Sequence, residues 1–206
     1  MKKSTPYIIT LIALVLGFGG SWYFQSSKPI TLEAGRWYGD QAKTLAGFEL
    51  SDQNNQPFGI EQLKGKWNLL YFGFTHCPDI CPISLQAMAD MMEAIDDKQV
   101  RDDIRVTFVS VDPDRDTPAL LKSYVEYFNP SFVGATAPLP ELKKLTTSIG
   151  IAHKLEKDSD DQTSYLVTHS GAIVLLNPQA ELSGLFSAPH DALAMARDMT
   201  KIIEHN

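Results

Sequence analysis

The sequence predicts an α/β sandwich, a mixed central sheet flanked by helices, preceded by a single N-terminal transmembrane helix. Three observations carry that expectation. Short runs of apolar and β-branched residues alternate with longer segments whose apolar residues recur every three or four positions, as strands alternating with one-sided helices do. One run of strand length, Trp67 to Thr75, is apolar almost throughout, which suits a strand buried on both faces. Lys2 and Lys3 precede an apolar stretch, Tyr7 to Phe24, unlike anything after it.

A helix of about 18 residues reaches roughly 27 Å, close to the hydrocarbon thickness of a bilayer. Lys2 and Lys3 hold its start in the cytoplasm, and Trp22, Tyr23 and Phe24 suit the far interface. The competing reading is a cleaved signal peptide. Bulky aromatic residues stand where a small-x-small cleavage site belongs, so an uncleaved anchor is favoured. Either way the domain lies outside the cytoplasm. Residues 1–28 are read as cytoplasmic tip and anchor, 29–44 as a polar tether, and 45–206 as the folded domain.

Within that domain, Ala46–Asp52 reads as a strand and Asn54–Pro57 as its turn. Trp67–Thr75 is the buried strand. Leu85, Met88, Met92 and Ile95 mark one face of the helix that follows, and Arg105–Asp112 is the next strand. Thr117–Phe128 is a helix with Asp116 or Thr117 at its cap, and Glu141–Ile149 a shorter one. Thr163–His169 and Ala172–Leu176 read as antiparallel strands joined across Ser170-Gly171. Gly184–Phe186 is expected as an edge strand and Asp191–Ile203 as a final helix. Strand, motif, helix, strand and helix, then a hairpin and helix, is the pattern of a thioredoxin-like sandwich.

The chain has 206 residues, 44% of them hydrophobic, which is enough for one sizeable core beside a leader. A net charge of -7 leaves no basic excess to neutralise phosphates, so nucleic acid is excluded as a partner. Both cysteines lie in Phe72-Gly-Phe-Thr-His-Cys-Pro-Asp-Ile-Cys-Pro82. Thiols this close serve as ligands for a soft metal, as a redox dithiol, or as both. Pro78 is expected in the first helical turn, which puts Cys77 at the helix N-terminus, where the dipole favours thiolate. Cys81 then follows one turn later on the same face. A purely structural disulfide restrains little, because its loop is tiny. Structural zinc requires four ligands, and there is no second cysteine pair. Two thiolates with an imidazole suit copper.

Five histidines could supply that imidazole. His76 adjoins Cys77 and is expected to point elsewhere, His153 and His190 read as surface or packing residues, and His205 is terminal. His169 ends a strand and could lie at the sheet edge that presents Cys77. Taken alone, such a histidine reads more readily as structural than as a ligand.

Three motifs in order, Phe72–Pro82, Ser110-Val-Asp-Pro-Asp-Arg-Asp-Thr-Pro118 and Tyr165-Leu-Val-Thr-His-Ser170, together resemble the Sco/SenC family. That family comprises membrane-anchored, thioredoxin-like copper proteins that help build the dinuclear copper centre of cytochrome c oxidase. The resemblance runs from about residue 47 to the C-terminus. It implies Cys77, Cys81 and His169 as ligands of Cu(I) and Cu(II), with Asp112 near the site. The alternative for Asp112 is a cap of the Asp112-Pro113 turn. The chain departs from the family pattern at Thr168, often acidic, and at Phe74, often tyrosine. Neither change removes a ligand.

The implied function is copper delivery to, or preparation of the cysteines of, the copper-bearing subunit of the oxidase. A separate copper donor protein would load the site, and the domain would face the periplasm from the inner membrane. The alternative is an extracytoplasmic thiol–disulfide oxidoreductase acting through Cys77 and Cys81. Two features weigh against it: three residues separate the cysteines rather than two, and Val167–Ser170, aligned with the stretch that carries a cis-proline in thioredoxins, has no proline. Met88, Met91 and Met92 suggest a copper relay, but core packing is the better reading. Asp158–Asp161 lacks the glycine and distal glutamate of a calcium loop.

Overall fold

A computed structural model of the chain describes residues 30–151, 153–157, 165–169 and 171–206, with backbone alone at 40, 153–157 and 165–169. In chain order the strands are β1 Gly35–Trp37, β2 Lys43–Thr44, β3 Glu49–Asp52, β4 Pro57–Gly59, β5 Trp67–Gly73, β6 Ile104–Ser110, β7 Val133–Thr136, β8 His153–Lys157, β9 Tyr165–His169, β10 Ile173–Leu176 and β11 Glu181–Phe186. The helices are α1 Ile60–Leu63, α2 Ile80–Ala94, α3 Lys98–Asp102, α4 Pro118–Phe128, α5 Leu139–Ile149 and α6 Ala192–His205. The apolar run Tyr7–Phe24 and the Asp158–Asp161 segment lie outside the described residues. No helix among the described residues is long and apolar enough to cross a membrane.

The main sheet runs β1-β11-β10-β5-β6-β7-β3-β4, with β2 also on β11. The β5–β6 and β6–β7 pairs are parallel and the others antiparallel, so the sheet is mixed as expected. Every residue of β5 is buried, because it has a partner on each side and packing on both faces. Each large apolar side chain buried there contributes about 1.5–3 kcal/mol. On the inward face of α2, Cys81, Leu85, Met88 and Met91 are fully buried, and Met92 is half-buried against the core. The methionines are therefore packing residues. Helix α2 contacts both α4 and α6. Thr117 caps α4 through a hydrogen bond from the Leu120 N–H, and Asp191 caps α6 through one from the Ala194 N–H.

Several expectations are corrected. Strands β9 and β10 are not a hairpin: β9 pairs with β8, while β10 lies between β5 and β11. Gly171, at φ +61°, turns the chain between the two sheets, and both edges of β10 are already occupied. Strand β11 is interior, because β1 and β2 cover its other side. Residues 33–44, expected within the tether, thus belong to the folded unit. The fully buried carboxylate of Asp198 in α6 fastens them, accepting hydrogen bonds from the N–H groups of Glu33, Ala34 and Gly35 at 2.8, 2.8 and 3.1 Å. Strand β7 escaped the sequence reading because it is short and contains Gly134. A β-carbon at Gly134 would meet that of Leu121 at 3.1 Å, so the glycine lets α4 lie close to the sheet. The cis peptide bond among the described residues is Ala188–Pro189, between β11 and α6.

Candidate metal centre

Strand β5 delivers the chain to Gly73, and a turn closed by the Cys77 N–H to the Phe74 carbonyl at 3.1 Å follows. The helix begins later than its sequence suggested. Pro78 disfavours helical backbone at Cys77, and Asp79 at φ -138° and ψ -82° is not helical either, so α2 starts at Ile80. Cys77 therefore sits in the turn, off the helix N-terminus. Pro82, not Pro78, occupies the first helical turn, where a missing N–H costs nothing.

Cys81 turns inward and is 0% exposed, while Cys77 is 9% exposed. Both are free thiols. Their sulfurs are in hydrogen-bonding contact although the two residues do not share a helical face. Burial pushes the Cys81 thiol well up, and the contact with Cys77 adds to this. A hydrogen bond from the Phe74 backbone and one from the Tyr71 hydroxyl oppose it. Burial likewise raises the Tyr71 and Tyr124 hydroxyls, with the cysteines adding to both shifts. Cys81 thus rests on a largely apolar floor that resists ionisation of its thiol.

Space for Cys81 comes from Gly73. A β-carbon there would lie 2.7 Å from the Cys81 sulfur and 2.8 Å from Phe108 Cε2. The glycine in Phe-Gly-Phe was a legible signal of close approach that the sequence reading did not use.

The second motif buttresses the first. Asp116 is 1% exposed and accepts hydrogen bonds from the Thr75 N–H (2.9 Å), Thr75 Oγ1 (2.6 Å) and Ser110 Oγ (2.5 Å). It joins the end of β6 to the turn that carries Cys77. Sequence reasoning offered Asp116 only as a candidate helix cap and missed this positioning role. Asp112 is fully buried. Its carboxylate accepts from Arg115 Nε at 2.5 Å, and its carbonyl accepts from the N–H groups of Arg115 and Asp116. The carbonyl closes the turn, and the carboxylate is held across it by the Arg115 ion pair. The Arg115 guanidinium in turn lies 5.8 Å from the centre of the Phe74 ring, tying that turn to the cysteine loop.

Of the histidines, His169 closes β9 directly opposite His153 on β8, and β9 contacts β5. The side chains of both lie outside the described atoms. Two residues after His169, Gly171 abuts Ile80: a β-carbon there would be 3.0 Å from Ile80 Cδ1. The chain at Gly171 thus runs beside Ile80, the first residue of α2. His190 is half-buried, with Nε2 3.0 Å from the Gly171 carbonyl and its ring edge-on to Tyr71 at 6.5 Å. Burial lowers its pKa, and the Gly171 carbonyl opposes the shift. His76 is half exposed and held by Thr75; His205 is exposed at the end of α6.

Two sulfurs side by side, one reachable from solvent, fit a soft monovalent or divalent ion. Among the described residues no group of three His, Cys, Asp or Glu side chains is arranged around a metal position. The expected third ligand, His169, is outside that set.

A family model described as SCO1/SenC matches residues 38–204. The chain belongs to the SCO1/SenC family. An SCO2-like protein of Rickettsia conorii is 34% identical to it over 205 residues, covering 96% of this chain and 98% of the relative. Arabidopsis thaliana ScoI, solved with copper bound, superposes with a TM-score of 0.71 at 32% identity, over 78% of this chain and 98% of that one. BsSco, described as having a disulfide switch and as a member of the Sco family of cytochrome c oxidase assembly proteins, shares the fold at a TM-score of 0.59 and 22% identity, over 78% and 94% of the two chains. In this SCO1/SenC protein, then, the thioredoxin-like sandwich read from the sequence carries the cysteine pair at the end of its central strand.

Proposed function

We propose that this protein binds copper through Cys77, Cys81 and His169 and serves the assembly of the dinuclear copper centre of cytochrome c oxidase. It delivers copper there or prepares the target cysteines. The observation that carries the reading is the contact between two unbridged sulfurs at a site mostly closed to solvent. The copper held by Arabidopsis ScoI and the assembly role in the description of BsSco support it.

Two thiolates and a neutral imidazole give Cu(I) a net local charge of about -1 and Cu(II) about zero, so neither state is prohibitive. Copper arrives where protons leave. Cys81 holds its proton against a buried surround, and a metal cation replaces it with a charge the site can balance. Closure of a Cys77–Cys81 disulfide removes two ligands together, which couples copper loading to thiol redox state. Tyr7–Phe24 anchors the chain in the inner membrane with the domain in the periplasm. A separate donor protein supplies the copper.

A second reading is thiol–disulfide exchange, favoured by the free dithiol and the greater exposure of Cys77. The Cys77 thiolate would attack a partner disulfide, releasing one partner thiolate. Cys81 would then attack the Cys77 sulfur and release the second, leaving the partner reduced and the pair oxidised. The raised Cys81 thiol is a poor resolving nucleophile, which ranks this reading second.

Copper stoichiometry of the fully reduced chain, measured anaerobically beside His169→Ala, separates the two. One copper per parent chain, lost or loosened in the variant, supports the three-ligand site. A parent that holds no copper with both thiols reduced points to exchange.

A further inference from the structure

We propose that His76 is a capture ligand: its Nε2 atom takes incoming copper at the surface, beside Cys77, and hands it to the buried sulfur pair. The inference rests on the copper reading above.

The pair itself is nearly closed, with Cys77 9% and Cys81 0% exposed, so an ion must pass the residues around Cys77. His76 precedes Cys77 directly, and its side chain is 55% exposed. Its ring is held in a defined tautomer. Thr75 Oγ1 has one proton and gives it to Asp116 Oδ1 at 2.6 Å. The 3.0 Å contact between Thr75 Oγ1 and His76 Nδ1 must then have the ring as donor. Asp116 Oδ1, 3.8 Å from Nδ1, favours the proton there as well. Asp116 cannot relax away, because it is 1% exposed and also holds the Thr75 N–H and Ser110 Oγ.

In the neutral ring the lone pair is therefore on Nε2, which has no bonded partner among the described residues. A metal-binding histidine gives its other ring N–H to a partner that fixes tautomer and ring orientation, and Thr75, itself held by the buried Asp116 carboxylate, fills that place here. No packing role accounts for this arrangement on a half-exposed side chain. No step changes oxidation state: on capture copper leaves its carrier for Nε2 and Cys77, whose thiol proton goes to solvent, and on hand-over the Cys81 sulfur replaces Nε2 on copper as the Cys81 proton follows.

The test is stopped-flow transfer of Cu(I) from a coloured chelate to the reduced full chain, and back, without oxygen. His76→Asn keeps an amide that can bond Thr75 but supplies a poor ligand, whereas His76→Met supplies a soft ligand and no hydrogen bond. Capture predicts that His76→Asn slows loading and release together by about tenfold and that His76→Met restores both. Asn as fast as the parent, or Met as slow as Asn, overturns the proposal and assigns His76 to the turn alone. A parent that takes up no Cu(I) overturns the copper reading itself, whereas a loading parent with an unaffected Asn variant overturns only the capture step.

Discussion

Gly73 and Cys81 occupy one space: the sulfur of Cys81 lies where a β-carbon on Gly73 would come within 2.7 Å. The end of the central strand is therefore shaped to seat the second thiol, and the loop between them only has to bring Cys77 alongside. Gly73→Ala is expected to push Cys81 and Phe108 aside. It should cost about 1–3 kcal/mol of stability and sharply reduce copper retained per chain. Melting and copper analysis of the variant check this, and a parental result in both would refute the packing argument.

Asp116 is the joint between β6 and the cysteine turn. In Asp116→Ala three donors lose their acceptor, two of them on Thr75. The expected loss is on the order of 3 kcal/mol, with the cysteine turn losing order first. Hydrogen exchange at Thr75–Cys77, compared with exchange in β5, reads this directly. Uniform exchange changes would make Asp116 an ordinary core residue.

Burial raises the Cys81 thiol and the Tyr71 and Tyr124 hydroxyls, so the folded chain keeps protons that the unfolded chain releases. Above the ordinary thiol value of 9.0, and further above 10.0 for tyrosine, the unfolded state binds fewer protons and stability falls as pH rises. Below that window the contribution is fully present. The reduced, metal-free protein should thus lose melting temperature steeply above about pH 9, and Cys81→Ala should soften the first part of the fall. Equal slopes in both proteins would remove Cys81 from this account.

The cysteines and His169 should separate by assay. Cys77→Ser and Cys81→Ser are each expected to lose copper binding and disulfide formation together. His169→Ala should lose stable Cu(II) binding while the dithiol still oxidises. Undiminished copper affinity in that variant would refute its place among the ligands.

Much of this was legible because its causes are local. The unbroken apolar run 67–75 announced a strand buried on both faces, and Thr117 and Asp191 sit at caps where their chemistry belongs. Spacing alone put Cys77 and Cys81 on one helical face, whereas Pro78 and the extended backbone at Asp79 delay the helix to Ile80. The sulfurs meet all the same, through the turn rather than through helical periodicity.

By itself the sequence determined the α/β class, the central strand, the helices of three turns or more and the cysteine pair at the strand's end. Periodicity, capping and turn chemistry act within a few residues. Only the tertiary structure decided that β9 leaves the main sheet, that β11 is covered by residues 35–44, and that Asp198 pins the segment before them. It also brought Asp116 to Thr75 across 41 positions and set Gly73 against Cys81. Strand partners and buried polar bonds depend on which distant segments meet, and no local pattern encodes that choice.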